Sequence, residues 1–257
     1  MTYQALAFFD LDGTLLDGEA NITPEIAEAM NQLKQNKVLP VIATGRTEIE
    51  ILNIRAAAGI TSNIVMNGAF IRIDGEEVYN ETIAPHISER MMAAVEENKH
   101  ALSFYNPTNY WTTAHDENTI RAYQHVRSQL PKIDPFGYQT NDVNMLLVLS
   151  QDRDEVYRQQ FPELTFYRNT PFSIDIVNQG TSKGTAINKL KKRLQLEHVP
   201  TFGFGDGSND LALLQACDHK IAMGNAINEL KDLADFVTFK NTEGGIIHAL
   251  KHFELIS

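Results

Sequence analysis

The chain has 257 residues, 43% of them hydrophobic, which allows a well-buried core and excludes a disordered chain. Its formal net charge of −11 argues against nucleic acid as a partner and requires any anionic ligand to find local positive charge. A single cysteine, Cys217, permits no disulfide within the chain, no apolar run approaches the roughly 20 residues that span a bilayer, and the first residues lack a leader pattern. The expectation is a cytoplasmic protein with no membrane partner.

Ala5–Phe9 reads as a short buried strand running into acidic and glycine residues. Thr23-Pro24-Glu25 then starts a helix, with Ile26, Met30 and Leu33 at helical spacing. Val38–Ala43 is a second strand, and Pro40 marks it as entering late or lying near an edge. A helix over 48–58, a strand over 64–66 and a hairpin turning at Asp74-Gly75 follow. Short apolar strands alternating with helices predict a parallel sheet with right-handed crossovers. The pattern returns at the far end, with helix Lys183–Leu194, strand 201–204, helix 210–216, strand 221–223, helix 226–233, strand 236–238 and helix Gly245–His252. The middle is different. Aromatic-rich strands at 102–105, 110–113, 144–149, 164–167 and 172–177 are mixed with helices near 87–96, 116–128 and 153–160. The fold class is therefore α/β, with an α+β unit (83–181) inserted into a core made of 1–82 and 182–257.

Ligand chemistry in parallel α/β sheets gathers at the carboxyl ends of strands. Four polar clusters fall at such strand ends or at helix starts: Asp10-Leu11-Asp12-Gly13-Thr14, Thr44-Gly45-Arg46, Thr181-Ser182-Lys183-Gly184, and Gly205-Asp206-Gly207-Ser208-Asn209-Asp210. Any one alone reads as an ordinary polar turn. Four in this order do not. Nucleotide-binding patterns fail on spacing: Ser208 stands where a dinucleotide loop needs its last glycine, and Lys183 precedes its glycine rather than following it. The eight histidines are scattered and form no zinc pattern.

DLDGT, TGR, a lysine opening a helix and GDGSND, in this order, resemble the four motifs of the haloacid dehalogenase-like superfamily. The insertion between the second and third motifs resembles the Cof-like phosphatase branch with a type 2 cap. That resemblance implies a Rossmann-like core, a cap that sets specificity, Mg²⁺ as cofactor and a small phosphorylated metabolite, such as a sugar phosphate, as substrate. It implies Asp10 as nucleophile, a carboxylate needing no base at neutral pH. Asp12 is implied as general acid and base. Metal ligands would be Asp10, the Asp12 carbonyl and Asp206. Thr44, Gly45, Lys183, Asn209 and the Leu11 amide would hold phosphate, with Asp210 supporting from behind. Arg46 is left between reaching substrate and pairing with an acid, and Asn67 between touching substrate and forming a plain turn. Phe104, Tyr105, Tyr110, Trp111 and Tyr123 either line a cleft or pack a core. A phosphomannomutase-like phosphotransferase is the alternative within the family, and a non-catalytic phosphometabolite-binding protein the alternative outside enzymes. Oligomeric state is not legible.

Overall fold

The computed structural model describes residues 3–257, apart from the side chain of Asn169. Five strands come first: β1 (Ala5–Phe9), β2 (Val38–Ala43), β3 (Ser62–Val65), β4 (Phe70–Ile73) and β5 (Glu76–Asn80). Six follow in the inserted segment: β6 (Ala101–Tyr105), β7 (Tyr110–Thr112), β8 (Lys132–Ile133), β9 (Met145–Leu149), β10 (Leu164–Thr170) and β11 (Ser173–Asn178). The chain then adds β12 (Thr201–Gly205), β13 (His219–Ala222) and β14 (Phe236–Val237). Among the described residues they form an eight-stranded sheet, ordered β14-β13-β12-β1-β2-β3-β4-β5, and a six-stranded sheet, ordered β10-β11-β9-β6-β7-β8. The first is parallel from β14 to β3 and antiparallel beyond. The second is antiparallel except where β8 joins β7.

Helices cover both faces of the larger sheet, which is why its strands read as unbroken apolar runs. Along β1, Ala5, Ala7 and Phe9 join one core cluster, and Leu6 and Phe8 the other. The first cluster is closed by α1 (Pro24–Gln35), and the chain continues through α2 (Leu52–Ala58). Thr23 caps α1, its side chain accepting the Ile26 amide at 3.3 Å. In the insert, α3 (Pro85–Asn98) and α5 (Asp154–Gln160) contribute Met91, Val95 and Tyr157 to one face of the smaller sheet, while α4 (Glu117–His125) contributes Ala122 and Tyr123 to the other. Back in the core, α6 (Lys183–Leu194), α7 (Leu211–Gln215) and α8 (Asn228–Leu233) cover the second face. The last helix, α9 (Gly245–His252), packs with the first cluster. No helix among the described residues is long and apolar enough to cross a membrane. Cys217 is buried in the second cluster, and burial pushes its thiol up to about 12.

Three local readings change. Pro40 lies in an interior strand, between β1 and β3, and not at an edge. It pairs with Ala7 on one side, but β3 begins pairing only at Val41, so position 40 has no ladder partner there to lose. The two-residue strand β8 has no sequence signal, because two exposed residues show no alternation. The helix expected over 48–58 divides into a 3₁₀ turn at Ile49–Ile51 and α2.

The two crossings between the sheets are bonded to each other. Asn178 Nδ2 donates to the Thr82 carbonyl at 3.0 Å, and Thr181 Oγ1 donates to Glu81 Oε2 at 2.6 Å. Below them, α6 enters through a capping box formed by Ser182 and Thr185. Gly184 lets α6 approach α7: a Cβ there would stand 2.0 Å from the Ala212 carbonyl oxygen. Gly184→Ala is expected to destabilise the protein by about 1–3 kcal/mol, the usual penalty for overpacking, read as a lower urea midpoint.

Candidate active site

Asp10 directly follows β1, and a wide helical turn, Leu11–Leu15, begins after it. Within that turn Gly13 has φ +81°, and a Cβ there would lie 2.3 Å from Asp206 Oδ2. The loop after β1 and the loop after β12 therefore meet only because this residue is glycine. Thr14 Oγ1 donates to Asp206 Oδ1 at 3.0 Å. Asn225 Nδ2 donates to the Gly13 carbonyl at 2.8 Å and to Asp206 Oδ2 at 3.4 Å.

Lys183, at the start of α6, has a fully buried side chain. Its ammonium donates to Asp10 Oδ1 at 2.6 Å and to Asp210 Oδ1 at 2.7 Å. Asp210 Oδ2 accepts the Asp206 and Gly207 amides, each at 3.0 Å. Asp210 is thus saturated and buried. Oxygens of Asp10, Asp206 and Asp210 all lie within 4.8 Å of one another. Asp210 spends its oxygens on the Lys183 ammonium and two backbone amides, whereas the Asp206 oxygens accept only from the neutral Thr14 and Asn225 side chains, so Asp10 and Asp206 are the pair whose all-oxygen chemistry fits a hard divalent cation.

This charge arrangement alters the expectation for the nucleophile. Burial raises the Asp10 carboxyl well above the usual range, the Asp210 charge adds to the rise, and Lys183 opposes it. Burial and then Asp210 push Asp206 up to about 6. Burial works against the Lys183 ammonium, but Asp10 and Asp210 outweigh it and its pKa rises. Ionisation of Asp10 is therefore not automatic. Lys183 is the neighbour that opposes the rise.

A cavity of about 510 Å³ opens between the two sheets, lined on its core side by Asp10, Asp12, Thr44, Gly45, Asp206 and Asn209. Thr44 Oγ1 accepts the Arg46 amide at 3.2 Å. Arg46 resolves toward an acid partner: Nε and Nη2 grip the two Asp12 oxygens at 2.8 and 2.5 Å. Its Nη2 also donates to the Val126 carbonyl of the inserted unit at 3.0 Å. Asn67 is buried behind the cavity wall, with φ +53°, and donates to Asp175 Oδ2 at 2.8 Å while accepting Asn209 Nδ2 at 3.2 Å. Lys183 likewise lies beneath the floor, reaching the cavity through Asp10. The Leu11 side chain is in the core, so only its backbone is available at the site.

Sequence reasoning missed several neighbours. Asn225 follows β13 after a glycine, so the strand-end rule that found the other loops also points to it. Asp175 interrupts the apolar run Ser173-Ile174-Asp175-Ile176-Val177, a signal that was present. Glu50 and Arg168 gave none, since each reads as an ordinary surface charge.

A family model described as haloacid dehalogenase-like hydrolase matches residues 7–250. The chain belongs to this family. Within it, the Bacillus subtilis (strain 168) protein "Putative phosphatase YkrA" is 32% identical over 252 residues, covering 98% of each chain. A solved hypothetical protein from Geobacillus kaustophilus HTA426 superposes with a TM-score of 0.90 at 30% identity, covering 99% of this chain and 100% of that one. The subclass IIB sugar phosphatase BT4131 superposes with a TM-score of 0.87 at 27% identity, covering 98% and 100%. The chain is accordingly a hydrolase with the core-plus-cap fold of that family.

The carboxylate cluster has a consequence for stability without metal. A folded-state pKa raised from 3.8 to about 6 means the ionised Asp206 destabilises the fold. That penalty is fully present above about pH 6 and vanishes below about 3.8. Asp206→Asn in chelator should therefore raise the thermal midpoint at pH 7.5, with the gain shrinking as pH falls. Adding a divalent cation should stabilise the wild type and not the variant.

Proposed function

We propose that this hydrolase is a Mg²⁺-dependent phosphatase that acts on phosphomonoesters of small metabolites through an aspartyl-phosphate at Asp10. The observation that carries the reading is the placement of Asp10: it lines the cavity, and Lys183 fixes one of its carboxylate oxygens at 2.6 Å. The other oxygen has no hydrogen-bond donor among the described residues. Asp10 attacks phosphorus as the bond to the ester oxygen breaks. Mg²⁺ held by Asp10, the Asp12 carbonyl and Asp206 would supply positive charge against the repulsion between nucleophile and phosphate. Thr44, the Gly45 and Leu11 amides and Asn209 hold phosphate oxygens, and Lys183 acts from below through Asp10.

Asp12 gives its proton to the leaving oxygen and takes one from the water that cleaves the aspartyl-phosphate. In its present rotamer Asp12 is gripped by Arg46, so leaving that ion pair precedes proton transfer. The inserted unit, 83–181, serves as the cap that covers the reaction, with 1–82 and 182–257 as the catalytic core. A cytoplasmic location belongs to the same reading and is supported by a lone, buried cysteine.

Phosphate release from a panel of phosphomonoesters tests it. Turnover should require Mg²⁺, stop in chelator and be absent in Asp10→Asn. Asp12→Asn should fall about 10²–10⁴-fold, the usual contribution of a positioned acid and base. Undiminished release by Asp10→Asn would remove the nucleophile from the scheme.

A further inference from the structure

The turn after β3 carries no reacting group, yet it touches three of the four polar loops and the cap. Met66, Asn67 and Gly68 have φ of +50°, +53° and +108°, three left-handed residues in succession. Glycine and asparagine enter that region readily and methionine rarely does, so contacts must hold the turn in place. Met66 donates its amide to the Arg46 carbonyl at 2.9 Å, and Asn67 donates its own to the Thr44 carbonyl at 3.1 Å. A Cβ on Gly68 would stand 2.3 Å from the Ser182 carbonyl oxygen. The turn is thereby pressed between the loop of Thr44 and Gly45 and the start of α6.

Asn67 is 1% exposed, and the two ends of its side-chain amide face different units. Its Nδ2 faces the cap, donating to Asp175 Oδ2 of β11 at 2.8 Å, with Met145 Sδ of β9 at 3.8 Å. Its Oδ1 faces the core and accepts Asn209 Nδ2 at 3.2 Å. A carboxylate only accepts, so Asp175 fixes which end of the amide points each way. That in turn fixes where the Asn209 amide nitrogen is drawn. Gly45 packs on the same pair: a Cβ there would stand 3.0 Å from Asp175 Oδ2 and 3.3 Å from the Asn67 amide. Asn209 and Gly45 both line the cavity.

We infer that Asn67 is a positioning residue, which sets the Asn209 amide and the Thr44-Gly45 backbone for phosphate while Asp175 of the cap holds its other end. Asn67 acts through these groups and not on the reacting atoms. The grip on phosphate is thus linked to the seating of the cap by one buried amide. The inference rests on the phosphatase reading, which gives Asn209, Thr44 and Gly45 to the phosphate.

The test uses the whole enzyme with p-nitrophenyl phosphate and Mg²⁺, inorganic phosphate as competing ligand, and the thermal midpoint as control. Asn67→Asp still accepts from Asn209 but sets a second carboxylate against Asp175. It should lower kcat/KM about tenfold or more, the worth of roughly one hydrogen bond, and weaken inhibition by phosphate in step. Asp175→Asn alone, whose amide oxygen can still accept from Asn67, should stay within about threefold of wild type. Combining the two places a donor opposite the new carboxylate, so the double variant should return to within about threefold of Asp175→Asn. Should Asn67→Asp fail to fold, Asn67→Gly keeps the left-handed backbone at no steric cost and removes the amide. It should weaken phosphate inhibition about tenfold. Unchanged kinetic constants in the Asn67 variants, with only the thermal midpoint lowered, would make Asn67 purely structural and overturn the inference while the phosphatase reading stands. A double variant no better than Asn67→Asp would do the same. No release by the wild type overturns both.

Discussion

One buried ammonium organises this protein. Lys183 is held between Asp10 and Asp210, which come from different loops of the same sheet, and a third carboxylate, Asp206, lies within 4.8 Å of them. Removing one partner from a buried ion pair costs about 3–5 kcal/mol, so the lysine ties together β1, β12 and α6. When ionised, the three acids outweigh the single cation, and the cluster is electrostatically incomplete without further positive charge. Repulsion among the acids raises the energy of the cluster when all three are ionised. The rise in the Asp10 and Asp206 pKa values is the signature of that tension.

The cavity is a joint product of two units that share one hydrophobic cluster and each hold a second of their own. Core-to-cap hydrogen bonds surround it: Arg46 to the Val126 carbonyl, Ser128 to Glu50, Thr47 to the Asn106 carbonyl and Asn67 to Asp175. Arg46 belongs to both sets, since it grips Asp12 and the cap backbone with the same guanidinium. Its planar fork makes that double role possible, which a lysine would not. Cap position and the orientation of Asp12 are therefore linked through one side chain.

Strand register in the cap decides which of its side chains reach the cavity. A shift of one residue in β6 would exchange Tyr105 for Phe104 and replace a hydroxyl-bearing wall with a purely apolar one. The aromatic residues of the insert thus divide between two functions. Phe104 and Trp111 hold the cap together, and Tyr105 and Tyr123 shape the cavity.

The sequence by itself determined the parallel core, because buried strands are continuous apolar runs bounded by helices with clear caps. It determined the polar loops too, because a strand end obliges the residues after it to gather at one edge of the sheet. It also marked the middle of the chain as different from the core, through its aromatic, strand-rich texture. Tertiary structure decided the rest. Pro40 in an interior strand, the two-residue β8 and the core-facing or cleft-facing choice for each aromatic all depend on partners distant in the chain. The same holds for Arg46, whose choice of Asp12 needs a loop thirty-four residues away to be folded beside it. Asp10 gives the clearest case. Its chemistry is legible from its side chain, but its proton affinity is set by burial and by Asp210, Lys183 and Asp206, groups that only folding brings within reach.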